Sequence, residues 1–327
     1  MMSSETFEKK KIIFIFPLDG DKISFQNENL VLKDSMGEIR LKTTCYRIFA
    51  VMIVGPISLT SVIIDKSHKY GFPIFIMTQN MRTIDVIGHS TEGNYILNRK
   101  QYAYDSLDIA KTIMKNKILN QADTLNLQRA KSNELRKNIL KMKNYVEHVE
   151  EYDGDTRGLM GIEGTASKIF FQHNYDLSEW TGRRPRVKMD YINSTLDIGY
   201  TILFNMVDAM IRLYGFDAYV GVYHKEFYKR KSLVCDLVEP FRPLIDWQVR
   251  KAVHLGQCKS DDFNIVNGQY RLDIRKNAEY SNFLVKPLLE NKIGMFDYFK
   301  SYYRAFIRDK PADEYPMFRI GDNNDYN

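Results

Sequence analysis

Cysteine is scarce in this chain, and no apolar segment is long. The 327 residues include three cysteines, an odd number, placed far apart and without a Cys-x-x-Cys pair: Cys45, Cys235 and Cys258. This pattern argues against a disulfide framework and a thiolate zinc site, and it is typical of a reducing cytoplasm. No segment approaches the ~18 apolar residues of a membrane-spanning helix. We therefore expect a cytoplasmic protein that does not enter a membrane.

A signal peptide and the common catalytic motifs are also missing. The first apolar run extends only from Ile12 to Leu18, is interrupted by Pro17 and has no cleavage site of small residues. The sequence contains no Walker phosphate-binding loop, no His-Glu-x-x-His zinc motif and no Gly-x-Ser-x-Gly nucleophile motif. None of these motifs therefore indicates a function.

Charge of one sign is only slightly in excess. The net charge of +6 and the isoelectric point near 8.9 favour anionic partners weakly, because such values are common in proteins that bind no nucleic acid. The hydrophobic fraction of 44% excludes wholesale disorder. The length allows about two domains with a sizeable core.

Short runs of β-branched and aromatic residues, separated by Gly, Asp and Asn, predict a β-rich start. The predicted strands cover residues 11–17, 21–26, 29–34, 38–43, 47–55 and 72–78. One short helix is predicted between them, with Ser58 or Thr60 as its N-cap and Gly71 at its end.

After these strands the apolar residues recur at helical spacing. Helices fit residues 159–173, 190–214, 232–253 and 294–308, and further helical pattern begins at Gln101. We therefore predict an α+β fold, with a β-rich domain at residues 1–93 and a larger all-α domain at residues 94–327. The polar, proline-containing tail from Arg308 is expected to be mobile at its end.

Two carboxylates lie close together in the segment 232–253. On a single helix Asp236 and Glu239 are three residues apart, so they point in nearly the same direction from a largely apolar surface. Two like charges there are unfavourable unless a positive group lies between them, and Arg, Lys or a metal ion would serve. The alternative is a pair of surface acids with a nearby salt bridge.

A histidine and a further acid complete a candidate metal site. His224 ends the strand-like run AYVGVY, and Glu163 lies among small residues that would let another helix approach closely. Imidazole and carboxylate ligands together suit Mn²⁺ or Mg²⁺, and less specifically Zn²⁺ or Fe²⁺. The alternatives are a histidine with a structural role in a turn and a carboxylate favoured by a helix N-terminus.

Two basic clusters flank the candidate acids. One contains Arg183, Arg184, Arg186 and Lys188, and the other contains Lys225, Lys229, Arg230 and Lys231. Such clusters are often solvated loops. Here the second cluster includes Phe227 and Tyr228, and Arg and Lys beside aromatic residues can bind phosphates and stack on bases.

Four blocks of sequence, in order, resemble those of a known family. They are EGTASKIFF with Glu163, RRPRVKMDYINSTLDIGYTILFN, GFDAYVGVYH with His224, and SLVCDLVEPFRP with Glu239. The chain resembles the CRISPR-associated integrase, the first protein of the CRISPR adaptation module, over nearly its whole length.

The resemblance implies a metal-dependent DNA endonuclease and integrase that inserts captured DNA fragments into a CRISPR array in a prokaryotic cytoplasm. It implies that Glu163, His224 and Glu239 bind Mg²⁺ or Mn²⁺ and that Asp236 is a further acid of the catalytic site. The last metal ligand is often Asp in the family and is Glu here. We expect Arg184, Arg186, Arg230 and Arg242 to contact DNA.

The resemblance also implies an assembly. The β-rich domain would pair two chains into a homodimer, and two such dimers would hold a central dimer of the small second CRISPR-associated protein. The DNA partners would be double-stranded prespacer and the repeat next to the leader.

Two other functions stay open on the residues alone. One is a DNA-binding scaffold whose acids are structural and which lacks catalysis. The other is a small-molecule metallohydrolase, which leaves the basic clusters unexplained.

Overall fold

The computed structural model describes residues 2–89, 94–175, 180, 182–224 and 227–321. Seven strands form two sheets in the N-terminal part of these residues: β1 Lys11–Ile15, β2 Lys22–Gln26, β3 Asn29–Lys33, β4 Ile39–Thr44, β5 Ile48–Val54, β6 Pro73–Met77 and β7 Thr83–Gly88. The larger sheet has the order β1-β5-β6-β7, in which only β7 is antiparallel to its neighbour, and β2-β3-β4 form an antiparallel meander. The six predicted strands are present, and β7 is an additional strand.

Strand β5 is apolar throughout because both of its faces are buried. Ala50 and Met52 belong to the core that the sheet shares with the helices, whereas Val51 and Ile53 belong to a second core on the other face. Side chains alternate between the two faces of a strand, and a strand covered on both faces needs no polar positions. The N-terminal sheet is thereby packed directly against the helical part.

The other elements are mainly helical. The helices are α1 Ser4–Glu8, α2 Ser61–Tyr70, α3 Tyr95–Ala103, α4 Asp108–Asn126, α5 Asn133–Glu151, α6 Thr156–Asn174, α7 Tyr191–Tyr214, α8 Ser232–Leu237, α9 Arg242–His254, α10 Asn277–Glu290 and α11 Lys292–Ile307, with a hairpin of β8 Phe263–Val266 and β9 Gln269–Leu272. Helix α2 has Thr60 at its N-cap position and ends at Gly71, whose φ of 71° is left-handed, as predicted. No helix in the described part of the chain is both long enough and apolar enough to span a membrane.

The prediction of one helix over residues 232–253 is wrong. Helices α8 and α9 are separated by the 3-10 turn Glu239–Phe241. Pro240 has no amide hydrogen, so it cannot donate to the carbonyl of Asp236 as an α-helix would require. Asp236 and Glu239 therefore lie on different elements, and the helical geometry that aligned them does not apply.

Helix α4 lies at the centre of the helical part, in contact with α5, α6 and the turn that carries Glu239. Two buried asparagines of this helix hold the C-terminal segment. Asn116 binds both the amide and the carbonyl of Phe318, and Asn120 binds the carbonyl of Phe318 and the amide of Ile320. Asn120 also donates to the carbonyl of Pro240 at 2.8 Å. The tail is thus packed as far as Ile320.

The predicted domain boundary at residue 93 and the predicted mobile end at residues 322–327 both lie outside the described residues. On either side of the boundary the structure changes from strand β7 to helix α3. The division into two domains stays a prediction, since the buried cluster of the helices continues into strands β5 and β6.

Candidate active site

The carboxylates of Glu163 and Glu239 meet at a single lysine. The Nζ atom of Lys117 lies 2.5 Å from Oε1 of Glu163 and 2.5 Å from Oε2 of Glu239. Lys117 belongs to α4 and Glu163 to α6, and Glu239 begins the turn between α8 and α9. A positive group was expected between Asp236 and Glu239. It is present as a lysine, but it joins Glu239 to Glu163.

Charge pairing keeps this buried group of side chains ionised. Burial opposes the charge of Lys117, but the carboxylates of Glu239 and Glu163 outweigh it and raise the pKa of the lysine. Burial likewise opposes the charge of Glu239, yet Arg242 and Lys117 lower the pKa of this carboxyl below its usual value. The Nε atom of Arg242 lies 3.1 Å from Oε1 of Glu239.

Glu163 is fixed by its own helix as well as by the lysine. Ser167, one turn later, donates a hydrogen bond of 2.7 Å from its hydroxyl to Oε1 of Glu163. The small residues around Glu163 do not serve the close helix contact that we expected. A Cβ atom added at Gly161 or Gly164 would meet no atom within 4 Å, so these positions face open space.

His224 is oriented by Asp236. The buried Asp236 accepts hydrogen bonds from the amides of Val222, Tyr223 and His224, at 2.7, 3.0 and 2.9 Å, and its Oδ1 lies 2.6 Å from Nδ1 of the imidazole. Gly221 lets the turn approach the acid, because a Cβ atom there would lie 2.5 Å from Oδ2 of Asp236. Nε2 is therefore the nitrogen that would bind a metal.

The donor set fits a divalent cation, although the side chains are not gathered around one position. Within the described residues no three His, Cys, Asp or Glu side chains form a group that could hold a metal ion, and Lys117 lies between the two glutamates. Oε2 of Glu239 is buried and accepts no hydrogen bond of good geometry, so the ion pair with Lys117 is its contact. An imidazole held by a carboxylate is the usual arrangement of a metal-binding histidine. The assignment of Glu163, His224 and Glu239 as ligands stays a prediction.

The two basic clusters line neighbouring pockets. A pocket of about 640 Å³ is lined by five cationic residues: Arg82, Arg183, Arg186, Lys188 and Arg242. A second pocket, of about 970 Å³, is lined by Arg186, Arg212, Lys229, Arg230 and Lys231 together with Phe227 and Tyr228. Arg186 belongs to both, so clusters that α7 separates in sequence meet in space. Of the other predicted members, Arg184 lines neither pocket, and Lys225 lies outside the described residues.

The four arginines predicted to contact DNA differ in their surroundings. Arg184 and Arg186 are exposed, and Arg186 has a left-handed backbone with φ of 67°. Such strained conformations are concentrated at functional sites. Arg242 lies 4.9 Å from the ring centre of Tyr200 and pairs with Glu239, so it joins the basic pocket to the acids.

Lys117 is the site residue that sequence reasoning missed. It follows Ile109 and Ile113 at a spacing of four residues, so it continues the apolar stripe of α4. A charged residue within an apolar stripe is a signal of a buried ion pair.

Comparison with known proteins identifies the family of this chain. Residues 17–283 match a family model described as "CRISPR associated protein Cas1". This chain belongs to the Cas1 family. The resemblance read from the four sequence blocks is thereby confirmed.

Curated Cas1 relatives match over most of their length. A CRISPR-associated endonuclease Cas1 from Thermodesulfovibrio yellowstonii is 30% identical over 221 residues, which are 63% of this chain and 70% of the relative. One from Archaeoglobus fulgidus is 28% identical over 271 residues, which are 74% of this chain and 78% of the relative.

Solved structures share the fold. A Cas1 protein from Thermotoga maritima matches with a TM-score of 0.75 at 17% identity, over 91% of this chain and 97% of its own. A casposase bound to its integration product also gives 0.75, at 20% identity, over 95% and 96% of the two chains. A Cas6-RT-Cas1–Cas2 complex gives 0.79 at 21% identity over 95% of this chain, which spans about a third, 36%, of that longer chain. The predicted order of a β-rich part and a helical part is that of the Cas1 fold.

Proposed function

We propose that this Cas1 family member is a divalent-metal-dependent DNA endonuclease and integrase that inserts captured DNA into a CRISPR array. One observation carries the proposal. Lys117 joins Glu163 to Glu239, and Arg242 joins Glu239 to a pocket lined by cationic residues, while Asp236 holds the imidazole of His224. Acids that bind a cation beside a surface that binds phosphates suit phosphodiester chemistry.

The reaction would be attack of a DNA 3′-hydroxyl on a phosphodiester of the repeat. A new P–O bond forms to the attacking oxygen, and the bond from phosphorus to the departing 3′-oxygen breaks. With water as the nucleophile the same site would hydrolyse DNA. Bound Mg²⁺ or Mn²⁺ would supply the Lewis acid for this chemistry.

The residues of the chain would prepare the site. Asp236 holds the proton of His224 at Nδ1 and leaves Nε2 to face a ligand. Arg242 favours the ionised form of Glu239, which is the form that binds a cation. Arg186 and Lys188 would position the phosphates of the DNA strands without reading their sequence.

The proposed partners are double-stranded DNA, a second copy of this chain and the small second CRISPR-associated protein. One structural neighbour is part of a Cas6-RT-Cas1–Cas2 complex, and another is a casposase bound to its integration product. These neighbours support the small partner and DNA as partners. In the proposed assembly, homodimers of this chain join the small partner in a heterohexamer that acts on prespacer and repeat DNA.

A non-catalytic DNA-binding scaffold of the adaptation complex is the second candidate function. The observation that favours it is the lysine, since an ammonium group that neutralises the buried Glu239 and the half-buried Glu163 is also what a purely structural ion pair requires.

Integration assays on a branched DNA substrate with Mn²⁺ or Mg²⁺ distinguish the two functions. We expect Glu163→Ala, His224→Ala and Glu239→Ala each to abolish strand transfer while DNA affinity changes little. The exposed residues Glu290 and His254 provide matched controls, and their alanine variants should integrate at the wild-type rate. Wild-type integration by Glu163→Ala would exclude the catalytic assignment and favour the scaffold.

A further inference from the structure

The cation between Glu163 and Glu239 belongs to the protein itself. Only 8% of the surface of Lys117 is exposed, and its ammonium group is shared by two carboxylates from two other elements. We propose that Lys117 occupies the cation position of the catalytic site in the metal-free protein, and that a divalent metal binds only when this lysine leaves. This inference rests on the proposed function, because it takes the two glutamates as metal ligands.

Distances support the competition. Carboxylate oxygens bind Mg²⁺ at roughly 2.0–2.1 Å, and Nζ of Lys117 lies within about 0.5 Å of that range, at 2.5 Å from one oxygen of each glutamate. A metal that bridged the same two oxygens would therefore take the space of the ammonium group. Two cations cannot share that position, so binding of one requires displacement of the other.

Lys117 has a nearby acceptor to which it can move. Gln121 lies one turn further along α4, and residues four apart are neighbours on the surface of a helix. Its amide nitrogen donates to Ser167, but its buried Oε1 receives no hydrogen bond from the described residues. The flexible four-carbon stem of a lysine allows such a movement without a change in the helix.

The lysine would have two effects in the metal-free protein. It offsets the repulsion between the carboxylates of Glu163 and Glu239, which would otherwise destabilise the fold. It also weakens metal binding, because the metal binds only to the fraction of molecules in which the lysine has left the site. Lys117 is in this sense a positioning residue that keeps the ligands in place and sets the affinity of the site.

Titration of the full-length, DNA-free protein with Mn²⁺ by calorimetry tests this inference without any measurement of activity. We expect Lys117→Met to bind Mn²⁺ at least tenfold more tightly than the wild type. Without metal, Lys117→Met should also have a lower melting temperature than the wild type, and Mn²⁺ should raise its melting temperature by more. Lys115→Met is the matched control, because Lys115 lies on the same helix and pairs with Glu150 instead; its affinity should not change.

His224→Ala separates a failure of this inference from a failure of the proposed function. If His224→Ala weakens Mn²⁺ binding but Lys117→Met does not strengthen it, the metal site stands and the displacement of Lys117 is disproved. If His224→Ala binds Mn²⁺ as the wild type does, the proposed metal site itself is wrong. Should Lys117→Met not fold, Lys117→Gln, which keeps hydrogen-bond donors but no charge, decides in the same titration.

Discussion

The carboxylate of Asp236 contacts Nδ1 of His224 at 2.6 Å, while three backbone amides of the same turn occupy its remaining hydrogen-bonding capacity. In the proposed metal site Asp236 would therefore act on the metal only through the imidazole. The carboxylate of Glu239 instead contacts two side chains, those of Lys117 and Arg242.

This difference predicts unequal effects of neutralising the two acids. Glu239→Gln should remove integration altogether, because the charge in direct contact with the metal is lost. Asp236→Asn should lower integration about 10–100-fold, as loss of a residue that orients a ligand typically does, and extra Mn²⁺ should partly restore it. Integration assays on both variants across a metal titration measure this. Equal losses that Mn²⁺ does not restore would place both acids on the metal.

The turn around His224 predicts a sharp dependence on a glycine. Gly221→Ala would place a Cβ atom 2.5 Å from Oδ2 of Asp236 and 2.9 Å from Cβ of Ser232. We expect a loss of roughly 1–3 kcal/mol in the free energy of unfolding, measured with urea, since overpacking of a buried site has about this effect. The matched control is Gly161→Ala in α6, where the added atom meets open space and should stabilise the helix by up to about 1 kcal/mol. Similar results for both variants would contradict the close packing at Gly221.

The exposed arginines predict a salt dependence of DNA binding. Each phosphate that is neutralised contributes about 0.9 to the slope of log affinity against log salt concentration. Replacement of Arg184 and Arg186 by Ala should therefore lower the slope by up to about 2 and leave Mn²⁺ binding intact. Lys141 and Lys143, two exposed cations of α5, provide the control pair. A slope that is the same for both double variants would show that the arginines face solvent in the complex.

A buried acid behind the site predicts a pH dependence of stability. Asp246 is 1% exposed, and burial raises its pKa from 3.8 to about 7, although Tyr200 donates a hydrogen bond to it. The unfolded chain releases this proton near pH 4, whereas the folded chain keeps it to about pH 7. The folded state thus holds more protons in this window, and the free energy of unfolding falls there by up to about 1.4 kcal/mol per pH unit.

Asp246→Asn should remove this contribution. Urea unfolding at several pH values should show the difference between the variant and the wild type growing from pH 4 to 7 and constant above. Asp153→Asn, at an exposed position, should parallel the wild type throughout. A parallel curve for Asp246→Asn as well would mean that Asp246 is ionised in the folded protein.

The sequence predicts the order of elements well where apolar residues are dense. The run that forms β5 and the long pattern that forms α7 are both present as predicted. Strand β7 was missed because it carries Asp85 and has no fully buried residue, so it lacks the apolar run of the other strands. Helix α10 was missed too, and it contains Pro287, a residue that usually argues against a helix.

Only part of the candidate site could be predicted from the sequence, because one of its residues is placed there by tertiary packing. Glu163, His224, Asp236 and Glu239 came from local blocks and a resemblance. In the structure Lys117 joins Glu163 to Glu239, and Asp236 pairs with His224. Lys117 comes from a helix outside those blocks, and its role depends on the packing of α4 against two other elements. Such a tertiary contact cannot be read from the local sequence alone. The interruption of the helix at Pro240 also changes which acids become neighbours.

The hydrogen bonds between α4 and the C-terminal segment have a practical consequence. Asn120 is bound to the carbonyl of Pro240, next to Glu239, and to the backbone of Phe318, some eighty residues later. A fusion or a truncation near the C-terminus therefore alters a segment that Asn120 connects to the turn containing Glu239. A partner protein that bound residues 316–320 would therefore also affect the turn that contains Glu239, because Asn120 binds both segments.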